Sequence, residues 1–443
     1  RDPMDADAWY GLGDAWFHDT EGRPDRHFTE SLRAFRRTLA LAPDYSLAYE
    51  HIQFMLDQAS RPATGMFLVT PDSFASGPGV DSTVRVAATA RARQAGVESA
   101  RAWSTTQPGT GRAHLAMVDA LLANRQYPDA MAEVARFRSA DPTNPEMPFL
   151  QARVRFASGE GPRAAAELKA ALATITSGDF AGAEDAPTVM ADVLGGANIF
   201  AYYGDLASAA RVLELADEIR TDVLAASLPQ DLKGGDWKRS MQGTLYGGAG
   251  VPVAALERIW AATAEDARSL PADTRMPVLR SGRDAALGLF TGPEGNPDPI
   301  EEYQAISGEP PPVEVAALLA LARQDTAAAR KLLATPDSAR KFYPGWRPLY
   351  AQAQFLLGDY HGTVETLRLY DTDQFLTRGF DARWAQIGRV RLLRGAAYEK
   401  LGRRTEAAEQ YQLVLSQWKS ADPDLEVFLR QAEAGLARVQ GRG

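Results

Sequence analysis

The stretch AWYGLGDAW at residues 8–16 decides the fold class of this 443-residue chain. Trp9, Gly13 and Trp16 lie at the i, i+4 and i+7 spacing of one helical face. A second amphipathic stretch follows and ends at Pro43. Its apolar side carries four residues: Ser31, Phe35, Thr38 and Leu39. The pattern therefore predicts a pair of helices that pack against each other through small and aromatic side chains.

This helix pair matches the tetratricopeptide repeat (TPR), a 34-residue helix-turn-helix with the pattern W-x2-L-G-x2-Y, A-x3-F and a closing proline. Here the turn between the helices carries an insertion at residues 18–26. Further copies keep the same phase, at residues 113–142, 159–171, 204–216, 358–370 and 394–423. We therefore predict an all-α fold: a right-handed superhelical solenoid of antiparallel helix pairs, several of them degenerate, with a capping helix at residues 425–439.

Breaks in the repeat phase suggest an order of segments along the chain. Residues 65–79 interrupt the pattern, residues 234–252 are rich in glycine and residues 291–312 are rich in proline. We interpret these stretches as loops, and 291–312 as a joint between two halves. The predicted order is TPR-like repeats at 1–60, an irregular loop and long helix at 61–107, repeats at 108–230, a Gly/Pro-rich seam with helices at 231–312, repeats at 313–423, and a capping helix and tail at 424–443.

Composition excludes several classes of function. The chain has no cysteine, which excludes disulfides and thiolate metal sites. Its net charge of −9 disfavours nucleic-acid binding. No run approaches the roughly 18 apolar residues of a membrane span. The missing cysteines also favour an extracytoplasmic location, although a cytoplasmic one fits them too.

No arrangement of reactive side chains points to catalysis. The five histidines show no HxxxH, HExxH or HxH spacing, so a metal site would need histidines that converge in space. His18 and His27 lie with Asp19 and Asp25 in the inserted turn, which we interpret as a solvated loop. The glycine-rich residues 243–250 lack the lysine of a phosphate-binding loop and are interpreted as a loop before a helix. We predict no enzyme activity, no cofactor and no metal.

The runs at residues 7–18 and 39–49 resemble the C-terminal TPR regions of large bacterial signalling proteins. These proteins are membrane-tethered serine/threonine kinases and some transcriptional activators. The resemblance implies protein recognition or sensing, with any catalysis elsewhere. It also favours the extracytoplasmic location. Pro3 falls on the closing-proline slot of a preceding repeat, so we expect Arg1 to be a truncation or cleavage point in a longer polypeptide.

TPR resemblance further implies that the first helix of each pair lines a concave groove for a protein or peptide partner. The basic clamp of chaperone-binding members is absent from the corresponding slots. We predict an aromatic groove in which two acidic residues favour a basic partner; its candidate residues are Tyr10, Asp14, Phe17, Tyr49, Phe54, Asp119, Trp346 and Tyr350. The predicted function is a non-catalytic interaction or sensing scaffold. The alternative is a structural subunit packed permanently in an envelope or surface assembly.

Overall fold

The computed structural model describes residues 3–19, 24–61, 66–76, 80–182, 186–223, 237–334, 347–371, 379–381 and 383–441. These ranges contain 21 α-helices and one two-stranded hairpin. The predicted all-α class of paired helices is therefore confirmed. Contacts divide the chain into two compact units, Arg1–Arg163 and Ala164–Gly443.

The described residues of the first unit contain seven complete helices, of which consecutive members pack together. They are α1 (Ala6–Phe17), α2 (Pro24–Leu41), α3 (Ser46–Ser60), α4 (Ser82–Thr106), α5 (Gly111–Ala123), α6 (Tyr127–Ala140) and α7 (Met147–Ala157). An eighth helix, α8 (Gly161–Leu172), crosses the boundary between the units.

Glycine facing an aromatic ring sets the close packing of α1 on α2. A Cβ atom on Gly13 would lie 2.7 Å from the Phe35 ring, and that ring is fully buried. Gly111 on α5 lies in the same way against the Phe137 ring on α6. The small residue lets the helices approach, and the ring then fills the groove between them.

A β-hairpin lies inside the segment that we interpreted as a loop at residues 65–79. Strand β1 (Met66–Thr70) pairs antiparallel with β2 (Ser73–Ser76), and Leu68 faces Phe74 across the pair. Both of these side chains are buried in the core that α2, α3 and α4 share. The β-forming run at residues 66–70 followed by a proline turn was the local signal for this hairpin.

The described residues of the second unit contain thirteen complete helices. They are α9 (Ala186–Tyr203), α10 (Leu206–Glu218), α11 (Trp237–Ala249), α12 (Val253–Ser269), α13 (Arg275–Thr291), α14 (Asp298–Ser307), α15 (Val313–Ala322), α16 (Thr326–Leu333), α17 (Arg347–Leu356), α18 (Tyr360–Leu367), α19 (Arg383–Lys400), α20 (Arg404–Gln417) and α21 (Glu426–Val439). The predicted capping helix corresponds to α21, which packs on α19 and α20.

The glycine-rich stretch near residue 245 is helical, not the loop that we expected. Gly243, Gly247 and Gly248 lie within α11, where a Cβ atom on Gly247 would collide with the backbone carbonyl of Asp284 on α13. Gly243 similarly lies against the carbonyl of Ser281. The glycines therefore allow α11 and α13 to approach closely. The packing gained in this way offsets the low helix propensity of glycine.

The proline-rich residues 291–312 also form ordered structure in their centre. They include α14, whose Ile300 is buried, and Glu302 accepts a hydrogen bond of 2.7 Å from the Trp260 indole on α12. The boundary between the compact units falls at residues 163/164, and the seam at 231–312 stays a prediction.

Helix α19 gives the second unit contacts that an open array of repeats lacks. It packs against α9 and α11, which come much earlier in the chain, as well as against its neighbours α18 and α20. The Asn198 amide on α9 donates to the Gly379 carbonyl at 2.6 Å and accepts from the Asp381 N–H at 2.9 Å. Early and late helices of this unit are therefore in direct contact, in addition to the contacts between neighbouring helices that a solenoid makes.

Candidate interaction surface

Helices α1 and α3 are the first helices of two successive pairs, and their side chains meet in the first unit. The Tyr10 ring stacks on Tyr45, the residue before α3, with 5.0 Å between centroids. The Tyr45 hydroxyl donates to Asp7 at 3.0 Å. Burial raises the pKa of Tyr10, and the nearby charges of Asp14 and Glu50 raise it further. These contacts fix the start of α3 against α1.

A cluster of aromatic rings continues along the same side of both helices. Phe17 stands edge-on to Phe54 at 5.5 Å and edge-on to the His51 imidazole at 4.8 Å. Phe54 is nevertheless 49% exposed, and Leu47, two turns earlier on α3, is 43% exposed. We call this surface the α1/α3 face; it comprises Tyr10, Asp14, Phe17, His18, Leu47, His51 and Phe54.

Asp14 lies at the polar centre of the α1/α3 face. Its Oδ1 atom lies 3.4 Å from Nε2 of His18, the residue that caps the C-terminus of α1, and 3.4 Å from Nε2 of His51 on α3. The three ligand atoms all lie within 4.8 Å of one another. Sequence reasoning missed this group because His51 is far from His18 along the chain, and only the packing of α1 beside α3 joins them.

The two histidines of the inserted turn, which we interpreted as a solvated loop, lie in different environments. His27 lies beside Asp19 at 3.6 Å and is buried next to the Trp16 ring. His18 instead faces Asp14 and the solvent. The histidine that lies near His18 is His51, which belongs to the next repeat and which the sequence pattern did not group with it.

Acidic side chains link successive first helices of the first unit. Glu50 on α3 pairs with Arg112 on α5, and Asp119 on α5 pairs with Arg153 on α7 at 2.5 Å. Arg153 follows Asp119 by one repeat period, and its side chain is mostly buried. We expected Asp119 to attract a basic partner, which stays a prediction; within the fold its carboxylate pairs with Arg153.

The remaining candidates occupy different environments. Tyr49 is 5% exposed and stacks on Trp103 in the core, so it does not line an accessible groove. Tyr350 is half-buried on α17 in the second unit. Trp346 lies outside the described residues. Of the eight candidates, the structure brings together Tyr10, Asp14, Phe17 and Phe54.

Comparison with known proteins does not assign a family. No protein-family model and no curated protein matches the sequence. Similar solved structures include a human IFIT1 dimer with m7Gppp-AAAA (13% identity, 100% of this chain and 95% of that one, TM-score 0.28) and Naa15/Naa10 bound to HypK (15% identity, 100% and 70%, TM-score 0.23). Similarity at this level transfers no ligand or partner. Among the described helices, none is both long and apolar enough to cross a bilayer.

Proposed function

We propose that the α1/α3 face docks a short segment of a protein partner, and that the chain acts as a non-catalytic interaction scaffold. The observation that carries the proposal is the position of Phe54. This large ring is half exposed although it touches Phe17, and Leu47, two turns earlier on the same helix, is exposed as well. Clustered exposed apolar side chains mark interaction surfaces, whereas scattered ones do not.

The geometry favours a short segment with bulky apolar side chains. Leu47 and Phe54 lie two helical turns apart on α3, so about 10 Å separates them along the helix axis. A peptide in the polyproline II conformation covers that distance in about three residues and returns to the same face, because this helix has three residues per turn and a rise of about 3.1 Å per residue. One apolar side chain could contact Leu47 and a second could contact Phe54. Aromatic residues such as Phe54 contribute strongly to interfaces because they bury a large area at little entropic cost.

The scaffold would belong to a bacterial signalling protein, as the resemblance of residues 7–18 and 39–49 implies. A partner segment on the α1/α3 face would then recruit a protein to the activity carried elsewhere. The alternative, a subunit packed permanently in an envelope assembly, would instead leave Phe54 covered in the isolated native complex.

Peptide selection followed by affinity measurement tests the proposal. A displayed library of random peptides would be selected on the full chain, and binders would be remeasured by fluorescence anisotropy. We expect Phe54→Ala to weaken the selected peptides by at least about tenfold, as loss of an interface hot spot does. Val86→Ala is the control, because Val86 is an exposed apolar residue on α4 of the same unit. Equal affinities for the two variants, or no selected peptide, would contradict the proposal.

A further inference from the structure

We propose that Asp14, His18 and His51 bind a Zn²⁺ ion that links α1 to α3. Two of the distances between their ligand atoms are 3.4 Å. Tetrahedral zinc with bonds of about 2.1 Å places neighbouring ligand atoms about 3.4 Å apart. The remaining distance, between the two imidazole nitrogens, is at most 4.8 Å. His18 is 68% exposed, so its side chain is free to close that distance by rotation.

His51 makes a backbone hydrogen bond through one ring nitrogen, and its second ring nitrogen faces Asp14. Nδ1 lies 2.8 Å from the Leu47 carbonyl oxygen, which only accepts hydrogen bonds, so Nδ1 carries a proton. In the neutral ring, Nε2 then presents a lone pair toward the Asp14 carboxylate at 3.4 Å. Either a proton on Nε2 or a metal ion between these two atoms removes the repulsion of the two acceptors. Backbone-bonded Nδ1 with a free Nε2 is the usual arrangement of a metal-ligating histidine.

The surrounding rings hold the His51 imidazole in place. Phe17 and Phe35 each lie 4.8 Å from it, and Tyr10 lies 5.8 Å from it. The helix likewise sets the backbone positions of Asp14 and His18, because the His18 backbone N–H donates to the Asp14 carbonyl and closes the last turn of α1. Two of the three ligands therefore sit on one helical turn and the third is held by packing, which lowers the entropic cost of binding an ion.

The donor set selects the ion. Two imidazoles and one carboxylate suit a first-row divalent metal such as Zn²⁺, whereas Ca²⁺ and Mg²⁺ prefer oxygen ligands. Three protein ligands leave one tetrahedral position for water. That position is solvent-accessible, since the side chains of Asp14 and His18 are both exposed. The ion would join the first helices of two successive pairs beside Phe17, and this inference does not depend on peptide docking at Phe54.

Zinc titration of the chelator-stripped full chain tests the site. Isothermal titration calorimetry with ZnCl2 should show one ion per chain. His18→Ala should weaken binding by at least about tenfold, the loss expected even for outer-sphere partners of a metal. Because His18 is exposed, this variant preserves the core. His361→Ala, which removes an exposed histidine on α18, should leave the affinity unchanged.

A second readout identifies the ligands. Co²⁺ added in place of Zn²⁺ should produce visible d–d absorption bands, and Asp14→Asn and His51→Gln should each change them. No stoichiometric binding, or equal affinity for wild type, His18→Ala and His361→Ala, would overturn the site. Unchanged Co²⁺ bands in both Asp14→Asn and His51→Gln would overturn it as well.

Discussion

The Phe54 ring on α3 stands edge-on to the Phe17 ring on α1, 5.5 Å away, while half of its own surface remains exposed. Phe54 thus differs from Phe35, which is fully buried between the same helices. One ring belongs to the core and the other is available to a partner. The two roles can be separated by experiment.

Phe54→Ala should change the free energy of unfolding by less than about 1 kcal/mol, since substitutions at exposed positions have small effects. Phe35→Ala should cost about 3–5 kcal/mol, because it leaves a cavity in the core. Urea denaturation followed by circular dichroism measures both. A loss of stability in Phe54→Ala as large as that in Phe35→Ala would show that Phe54 is a core residue.

Gly13→Ala should destabilise the first unit by about 1–3 kcal/mol, because the added methyl group would lie 2.7 Å from the Phe35 ring. Gly11→Ala is the matched control on the same helix. No atom lies within 4 Å of a Cβ atom there, so alanine should stabilise α1 by up to about 1 kcal/mol. Thermal denaturation should therefore shift in opposite directions. Melting temperatures that shift in the same direction for both variants would contradict the close packing of Gly13 against Phe35.

Asn198→Ala should cost about 1–3 kcal/mol, since it leaves the Gly379 carbonyl and the Asp381 N–H without their buried partner. Hydrogen exchange should report faster opening of α9 and α19 together. The control is Asn144→Ala, where the side chain accepts from the Glu146 N–H in a local turn. Faster exchange confined to α9 would show that the second unit behaves as an open array.

Acid should loosen the capping helix α21. The ion pair with Arg438 holds the pKa of Glu399 below its ordinary value, and a hydrogen bond of 2.9 Å from Tyr411 adds to this. A carboxylate with a lowered folded-state pKa stabilises the fold above its unfolded pKa of about 4.3 and loses that contribution as pH falls through the folded value. Arg438 is more than half exposed, so the contribution is roughly 0.5 kcal/mol.

The measurement for this prediction is the stability of wild type relative to Glu399→Gln across pH. The difference should be constant above about pH 5 and should vanish below the folded pKa of Glu399. A difference that grows as pH falls would mean that the neutral carboxyl is the stabilising form.

The helix pairs were predictable because their signals are local. Trp9, Gly13 and Phe35 fall at fixed spacings, and the structure places Gly13 against Phe35 as that spacing requires. The glycines of α11 misled the prediction. A glycine within a helix and a glycine in a loop look alike in the sequence, and only the backbone of α13, which comes later in the chain, distinguishes them.

The α1/α3 face was predictable in part. Tyr10, Asp14 and Phe17 follow from the helical spacing of α1, and Phe54 from that of α3. Exposure could not be predicted: Tyr49 and Phe54 are both aromatic residues of α3, yet one stacks on Trp103 in the core and the other faces solvent. The grouping of His51 with Asp14 also depends on packing between repeats, which no local pattern encodes.

Photo-cross-linking in the native host tests the docking proposal most directly. A benzophenone amino acid would replace Phe54 in the full-length protein, and in a control it would replace Val86 on α4. We predict one discrete protein adduct from position 54, lost when Phe17→Ala is added and absent from position 86. The same adducts from both positions, or none from position 54, would contradict the assignment of the α1/α3 face as a docking surface.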